Sequence, residues 1–183
     1  MPREMGETVS LEEPADRLAI QEVVFAHSRG IDRLDQACIE SAYWPEAEVA
    51  YGAFDGRAHD FAAMVVHVLR AGFELTQHSV SNTLITFDGH RAKSESYVGA
   101  YHLLPGAEQE MFFSGRYLDL HEKRGDRWKI LHRQVVMDWS RQWAVVDERG
   151  GPAFAGLAKG ARLEHDPLYP FLSPSSIETE DSR

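Results

Sequence analysis

From Leu75 to Trp139 the sequence falls into four long stretches with no helical period between them. Thr76 to Phe87 alternates and is rich in β-branched residues, and Ala92 to Leu104, Gln109 to Glu122 and Trp128 to Trp139 follow it. Asp88-Gly89, Pro105-Gly106 and Arg124-Gly125-Asp126 stand between them, which is the turn chemistry of hairpins. Strands joined by such short connections pair as an antiparallel meander, and a meander with one apolar face needs a cover.

The cover lies upstream. Glu12 and Glu13 precede Pro14, which marks a helix start and runs to about Gly30 with Leu18, Ile20, Val24, Phe25 and Ile31 on a broad apolar face. A second helix is predicted over Asp35 to Tyr43, stopped by Pro45. Glu48 to Tyr51 reads as a short strand and Phe54-Asp55-Gly56 as a turn. Phe61, Met64, Val65, Val68 and Leu69 then fall on one face of a third helix closed by Gly72. Helices first and a meander afterwards predict an α+β fold, with the helices on one side of a curved sheet.

There is no internal repeat. The expected division is a flexible N-terminus over 1–10, one folded domain over 11–143 and a C-terminal extension over 144–183. In that extension Gly150 to Gly160 is small and flexible, Leu168 to Leu172 is a candidate anchor, and Ser173 to Arg183 is polar and expected to be disordered. The extension reads as a lid or a subunit clasp.

Charge and composition exclude several classes of function. With 183 residues and a net charge of −10, the chain lacks the clustered Lys and Arg that phosphate neutralisation requires, so no nucleic-acid partner is expected. The most apolar stretch, Phe61 to Leu69, is interrupted by His67 and is far shorter than a bilayer span, and no secretory signal is visible. Cys38 is the single cysteine, which fits a reducing, cytoplasmic setting. No Gly-rich phosphate loop, no H-E-x-x-H and no Cys/His cluster occurs, so neither a metal nor another cofactor is expected. A small hydrophobic molecule, or a protein, remains as partner.

Among the histidines, His90 and His121 sit beside turns, His59 precedes a helix, His165 lies in the tail and His67 is on a helix surface or rim; these are expected to be solvated. His78 and His102 differ. They project from neighbouring strands, His78 in phase with Thr76 and His102 in phase with Val98 and Ala100. Two polar rings aimed at a helix-covered face imply a wet cavity there. Asp32, just after Gly30-Ile31, is the candidate acid to orient a base, with helix capping as its alternative role.

The run Asp16-Arg17-Leu18-Ala19-Ile20-Gln21-Glu22-Val23, then Ile31-Asp32, Ala47-Glu48-Val49-Ala50-Tyr51, Gln77-His78-Ser79 and Gly115-Arg116-Tyr117 through Trp128-Lys129-Ile130, resembles the SnoaL-like branch of the nuclear transport factor two-like superfamily. The resemblance covers about residues 11 to 140. It implies a cone-shaped α+β barrel whose N-terminal helices and curved, mixed or antiparallel sheet enclose a pocket. It also implies cofactor-free elimination, as in scytalone dehydratase, lindane dehydrochlorinase and bile acid 7α-dehydratase.

Carried over by position, Asp32 and His78 match the family's acid–histidine dyad, Tyr51 a tyrosine that holds a water on a substrate carbonyl, His102 a second pocket histidine and Arg133 a pocket arginine. Val49, Val98, Phe113, Tyr117, Val135 and Met137 are the expected substrate-binding residues. Ile31 stands where scytalone dehydratase has a tyrosine and Tyr117 replaces its asparagine, so scytalone itself is not the expected substrate; Ala100 stands where the bile acid enzyme carries an acid. Arg133 can alternatively pair with Glu95 or Asp119, Arg116 suits a salt bridge, and Trp44, Trp139 and Trp143 suit packing.

The reading is therefore a lyase: His78, backed by Asp32, as general base, Tyr51 or Arg133 as oxyanion stabiliser, and His102 as proton donor to the leaving group. Dehydration and retro-aldol or deformylation-type cleavage of an aromatic or polycyclic compound both fit. An isomerase or cyclase using the same base, and a non-catalytic assembly subunit such as the small subunit of a ring-hydroxylating dioxygenase, are the alternatives. Tyr97, Tyr101 and Trp128, expected on the outer face of the sheet, point to a homo-oligomer, with a trimer preferred over a dimer.

Overall fold

A computed structural model describes residues 12–173; the expectations for 1–10 and for most of Ser173 to Arg183 lie outside the described residues. Helix α1 spans Glu12–Arg33. It buries Ile20, Val24, His27 and Ile31, a stripe at spacings of four, three and four. Leu18 and Phe25, expected on that face, are 62% and 47% exposed. The helix also passes through Gly30 instead of ending there. Gly30 serves a different need, because a Cβ on it would come within 2.7 Å of both the backbone nitrogen and Cγ1 of Ile39. The following helix, α2, spans Gln36–Ser41 and is capped by Asp35, whose side chain accepts from the Cys38 amide at 2.9 Å.

Strand β1 occupies Tyr43–Ala50, starting well before the expected Glu48. Pro45 sits in this strand where its pairing with β6 shifts register, a place at which a missing N–H is tolerated. After β2 at Asp55–Arg57, helix α3 spans Ala58–Gly72. Phe61, Ala62 and Leu69 are buried by α3, whereas Val68, expected to join them, is 49% exposed. Strands β3 (Leu75–Asp88), β4 (Arg91–Leu103), β5 (Gln109–Arg124) and β6 (Arg127–Ala144) form the expected antiparallel meander. Strand β1 pairs parallel to β6, so the sheet of the described residues is mixed, in the order β2-β1-β6-β5-β4-β3.

The core is divided by the helices. Ile39, Tyr43, Ala47, Val49, Phe61 and Ile130 bring α2, α3 and β1 together, and Ile20, Ile85, Ala92 and Trp128 close the other end. Trp128 is only 3% exposed and so is a core residue, not part of an outer contact face. No helix among the described residues is long and apolar enough to cross a membrane.

The chain after β6 is tied back by polar contacts. Arg33 pairs with buried Asp166 at 3.0 Å, Tyr169 donates its hydroxyl to Asp35 Oδ2 at 2.8 Å, and Arg162 donates to the Phe73 carbonyl. The short helix α4 at Leu168–Phe171 leaves Phe171 and Leu172 72% and 54% exposed, so the attachment rests on Asp166 and Tyr169 instead of an apolar Leu168–Leu172 anchor.

Replacing Gly30 by Ala should gain about 1 kcal/mol of helix propensity but lose about 1–3 kcal/mol from overpacking against Ile39. Urea denaturation is expected to show a net loss of stability. An unchanged midpoint would mean that the α1–α2 junction adjusts freely.

Candidate active site

Asp32, in the last turn of α1, and His78, near the start of β3, are joined by three hydrogen bonds. The His78 amide donates to both carboxylate oxygens at 3.0 and 2.8 Å, and the ring Nδ1 donates to Oδ1 at 2.7 Å. Thr76 adds a longer bond from its hydroxyl at 3.4 Å. A carboxylate can only accept here, so Nδ1 carries a proton, and in the neutral ring the lone pair then belongs to Nε2. The two side chains are 11% and 10% exposed, dry enough to strengthen the pairing yet open to a ligand.

His78 lines a cavity of about 260 Å³. Ile31, Phe61, Val65 and Leu69 wall it from the helices, and Ala100, Met111, Phe113, Tyr117 and Val135 from the sheet. Its polar side chains are His27, Tyr51, His78, His102 and Tyr117. Asp32 and His78 also border a second recess of about 240 Å³ beside Ser28 and Arg29, which brings the dyad close to solvent from the other side. A wider trough of about 970 Å³ lies elsewhere on the sheet, but its Arg116 is engaged by Glu95 and Asp138, and its Asp119 by Arg133. The smaller cavity is the one that the Asp32–His78 pair borders.

Of the residues expected in the site, Asp32, His78, Tyr51, His102, Phe113, Tyr117 and Val135 gather at the cavity or the dyad. Val49 and Val98 do not line it: Val49 is fully buried in the α2–α3–β1 core, and Val98 packs with Val24 and Tyr117. Met137 is 63% exposed. It keeps the register of Val135, opposite Gly115 and just before the β5–β6 register shift, but stands where β6 passes into its exposed end.

His102 is close to His78, with ring centroids 5.7 Å apart, and its Nδ1 has no hydrogen-bond partner. Burial, reinforced by the neighbouring His78, brings its pKa down to about 4. At neutral pH His102 is therefore a neutral hydrogen-bonding ring and not the imidazolium acid the sequence suggested.

Arg133 is completely buried and grips Asp119 through two bonds of 2.7 Å. Its guanidinium lies 4.0 Å from the Tyr117 ring centroid, so it stacks on that aromatic wall and does not itself line the cavity. This is the Asp119 pairing considered from the sequence. Next to it His121 is fully buried and bonded to Ser94 at 2.9 Å, contrary to the expected solvation. Burial brings its pKa to about 4.

His27 was not anticipated. It is fully buried, with Nδ1 3.1 Å from the Tyr43 hydroxyl and Nε2 3.0 Å from the Tyr51 hydroxyl. Its signal was available: it occupies the apolar stripe of α1 between Val24 and Ile31, one turn before Asp32. Among the described residues, no three or more His, Cys, Asp or Glu side chains gather as a metal centre would require.

Two outcomes follow. Asp119→Asn leaves the Arg133 charge buried without its partner and should cost about 3–5 kcal/mol in denaturant unfolding, whereas exchanging both for apolar residues should cost less than the two single changes combined. His102 and His121 bind protons less readily folded than unfolded, so the unfolded state takes up more protons between pH 6.5 and about 4. Stability should fall as pH drops through that window, and His121→Gln should flatten the profile. A midpoint independent of pH there would contradict the buried neutral rings.

Residues 12–134 match the SnoaL-like domain family. Uncharacterised proteins of Mycobacterium tuberculosis and Mycobacterium bovis are 28% identical over 129 residues, covering 68% of this chain and 87% of theirs. Among solved structures, the hexachlorocyclohexane dehydrochlorinase LinA-type3 of Novosphingobium barchaimii superposes with a TM-score of 0.68 at 21% identity, over 74% of this chain and 95% of that one. A provisionally assigned scytalone dehydratase of Novosphingobium aromaticivorans gives 0.65 at 22% identity, over 73% and 91%. At those identities the structural likeness speaks for the fold, and the match over residues 12–134 supplies the family: the chain belongs to the SnoaL-like domain family.

Proposed function

We propose that the protein is a cofactor-independent lyase that uses His78 as general base on a small hydrophobic, aromatic or polycyclic substrate. The observation that carries this reading is the Asp32–His78 pair, with Nδ1 committed to the carboxylate and the other ring nitrogen left at a largely apolar cavity. The structurally similar dehydrochlorinase and dehydratase support elimination as the reaction class.

His78 Nε2 takes a proton from carbon or oxygen of the substrate, and Asp32 stabilises the imidazolium that forms. Negative charge builds on a substrate oxygen or on the adjoining carbon. Tyr51 and Tyr117 are the cavity phenols that can donate to that charge, Tyr51 being the one matched to the family's tyrosine, and the buried Arg133 charge behind Tyr117 adds a favourable field without contact. With His102 neutral, the most acidic proton facing the cavity is the one His78 has just acquired, so His78 returns it to the leaving group. Loss of water and loss of a small carbonyl fragment both follow this course. The same base without a leaving group would give an isomerase.

The protein is further proposed to be a cytoplasmic homo-oligomer, with a trimer as the preferred state. Tyr97 and Trp139 are 44% and 48% exposed on the sheet, and Trp139 stacks on Phe112, which leaves aromatic surface for a second copy to cover. Cys38, the single cysteine, suits a reducing compartment.

His78→Ala and Asp32→Asn should each lower turnover of an identified substrate by about 10²–10⁴-fold while the thermal midpoint changes far less. Turnover that survives both substitutions would sink the dyad. Sedimentation equilibrium should give a multiple of the 20.7 kDa chain mass, and a mass of one chain would remove the oligomer.

A further inference from the structure

The His27 bridge raises a question of hydrogen-bond direction. A neutral imidazole has one donor and one acceptor, and two phenols flank this ring at 3.1 and 3.0 Å. Burial, with the nearby Arg133 charge added, holds the His27 pKa well below its ordinary value, so the ring is neutral. One phenol must donate to it and the other must accept from it.

The surroundings decide which. Tyr43 is 1% exposed and does not line the cavity. Among the described residues, His27 Nδ1 is the acceptor that its hydroxyl meets at hydrogen-bond geometry. Stranding a buried O–H costs about 1–3 kcal/mol, so Tyr43 donates to Nδ1. Nε2 then bears the hydrogen and donates to the Tyr51 oxygen. Arg133, whose Nη1 is buried without a hydrogen-bond partner, favours the same polarity by drawing phenol oxygens toward it as acceptors. Tyr51, its oxygen already accepting, has its own O–H free, and it lines the cavity with His78.

We propose that His27, held in its Nε2–H tautomer by Tyr43, is a positioning residue that turns the Tyr51 hydroxyl into a fixed donor for a substrate oxygen. It rests on the reading of this cavity as an acid–base site, in which His78 is the base and Tyr51 the electrophilic end. Tyr43 acts at one remove. It touches no ligand, yet deleting its hydroxyl releases the tautomer, lets Tyr51 turn and donate to His27, and withdraws the donor from the cavity. The ligand class that fits has a carbonyl or phenolic oxygen at one end of an apolar body, with its acidic hydrogen toward His78.

The test combines ring-nitrogen NMR of the full chain with the infrared carbonyl stretch of labelled acetophenone as probe. In the unmodified protein at neutral pH, His27 should show a protonated Nε2 and a bare Nδ1, and acetophenone should show a saturable shift of its carbonyl stretch to lower frequency that Tyr51→Phe abolishes. Tyr43→Phe should reduce that shift while leaving the fold and the His78 resonances in place. His27→Gln, which still offers one donor and one acceptor, should keep more of it than His27→Leu. A protonated Nδ1, no saturable shift, or a shift indifferent to Tyr43→Phe would overturn the proposal. The outcomes separate from those of the base: loss of turnover in His78→Ala beside a protonated Nδ1 on His27 would spare the dyad and reject this inference, and the opposite pattern would do the reverse.

Discussion

The Asp32 carboxylate holds the working part of this protein together. It takes the backbone N–H and the ring N–H of His78 at once, so a single side chain fixes both the position of β3 against α1 and the direction of the imidazole. A base oriented by its own ring bond but carried on a free strand end would be loosely placed; here the same acceptor fixes the strand. That double use explains why α1 runs to Arg33, and why Gly30 must allow Ile39 to approach its backbone. The close α1–α2 junction sets where Asp32 emerges.

Behind the dyad the chain buries a second set of polar groups that it does not expose to ligand. Arg133 and Asp119 form a closed pair beneath Tyr117, and Ser94 with His121 extends the cluster inward. Such a cluster is a weak source of stability, since desolvating the charges offsets most of their attraction. Its value to the site is a fixed positive charge behind an aromatic wall. Burial keeps the neighbouring His27 and the Tyr117 phenol neutral, and the Arg133 charge adds to this at His27 but opposes it at the phenol, where it favours negative charge.

Much of this was legible from residue pattern alone, and the failures have physical causes. The meander was readable because strands marked by Asp88-Gly89 and Arg124-Gly125-Asp126 pair locally, and His78 because it alternates in phase with Thr76; Asp32 was marked by the family resemblance, since the helix end expected just before it is not there and α1 runs on to Arg33. The parallel β1–β6 pairing joins segments distant in sequence and leaves no local trace. Met137 keeps the parity of Val135 but stands where β6 passes into its exposed end, which alternation does not mark, and Trp128 is core because alternation does not say which face a helix end covers. His27 was overlooked because a polar residue in an apolar stripe gains its meaning from Tyr43 and Tyr51, sixteen and twenty-four positions away.

The central claim is that Asp32 makes His78 a base facing the cavity, and the location of one proton tests it. A long-range proton–nitrogen spectrum of the full chain at neutral pH, with His78 identified by its loss in His78→Ala, reports which ring nitrogen is protonated. The account requires the hydrogen on Nδ1 and a bare Nε2, with that preference weakened in Asp32→Asn. A hydrogen on Nε2 in the unmodified protein would leave the cavity without its base and contradict the account.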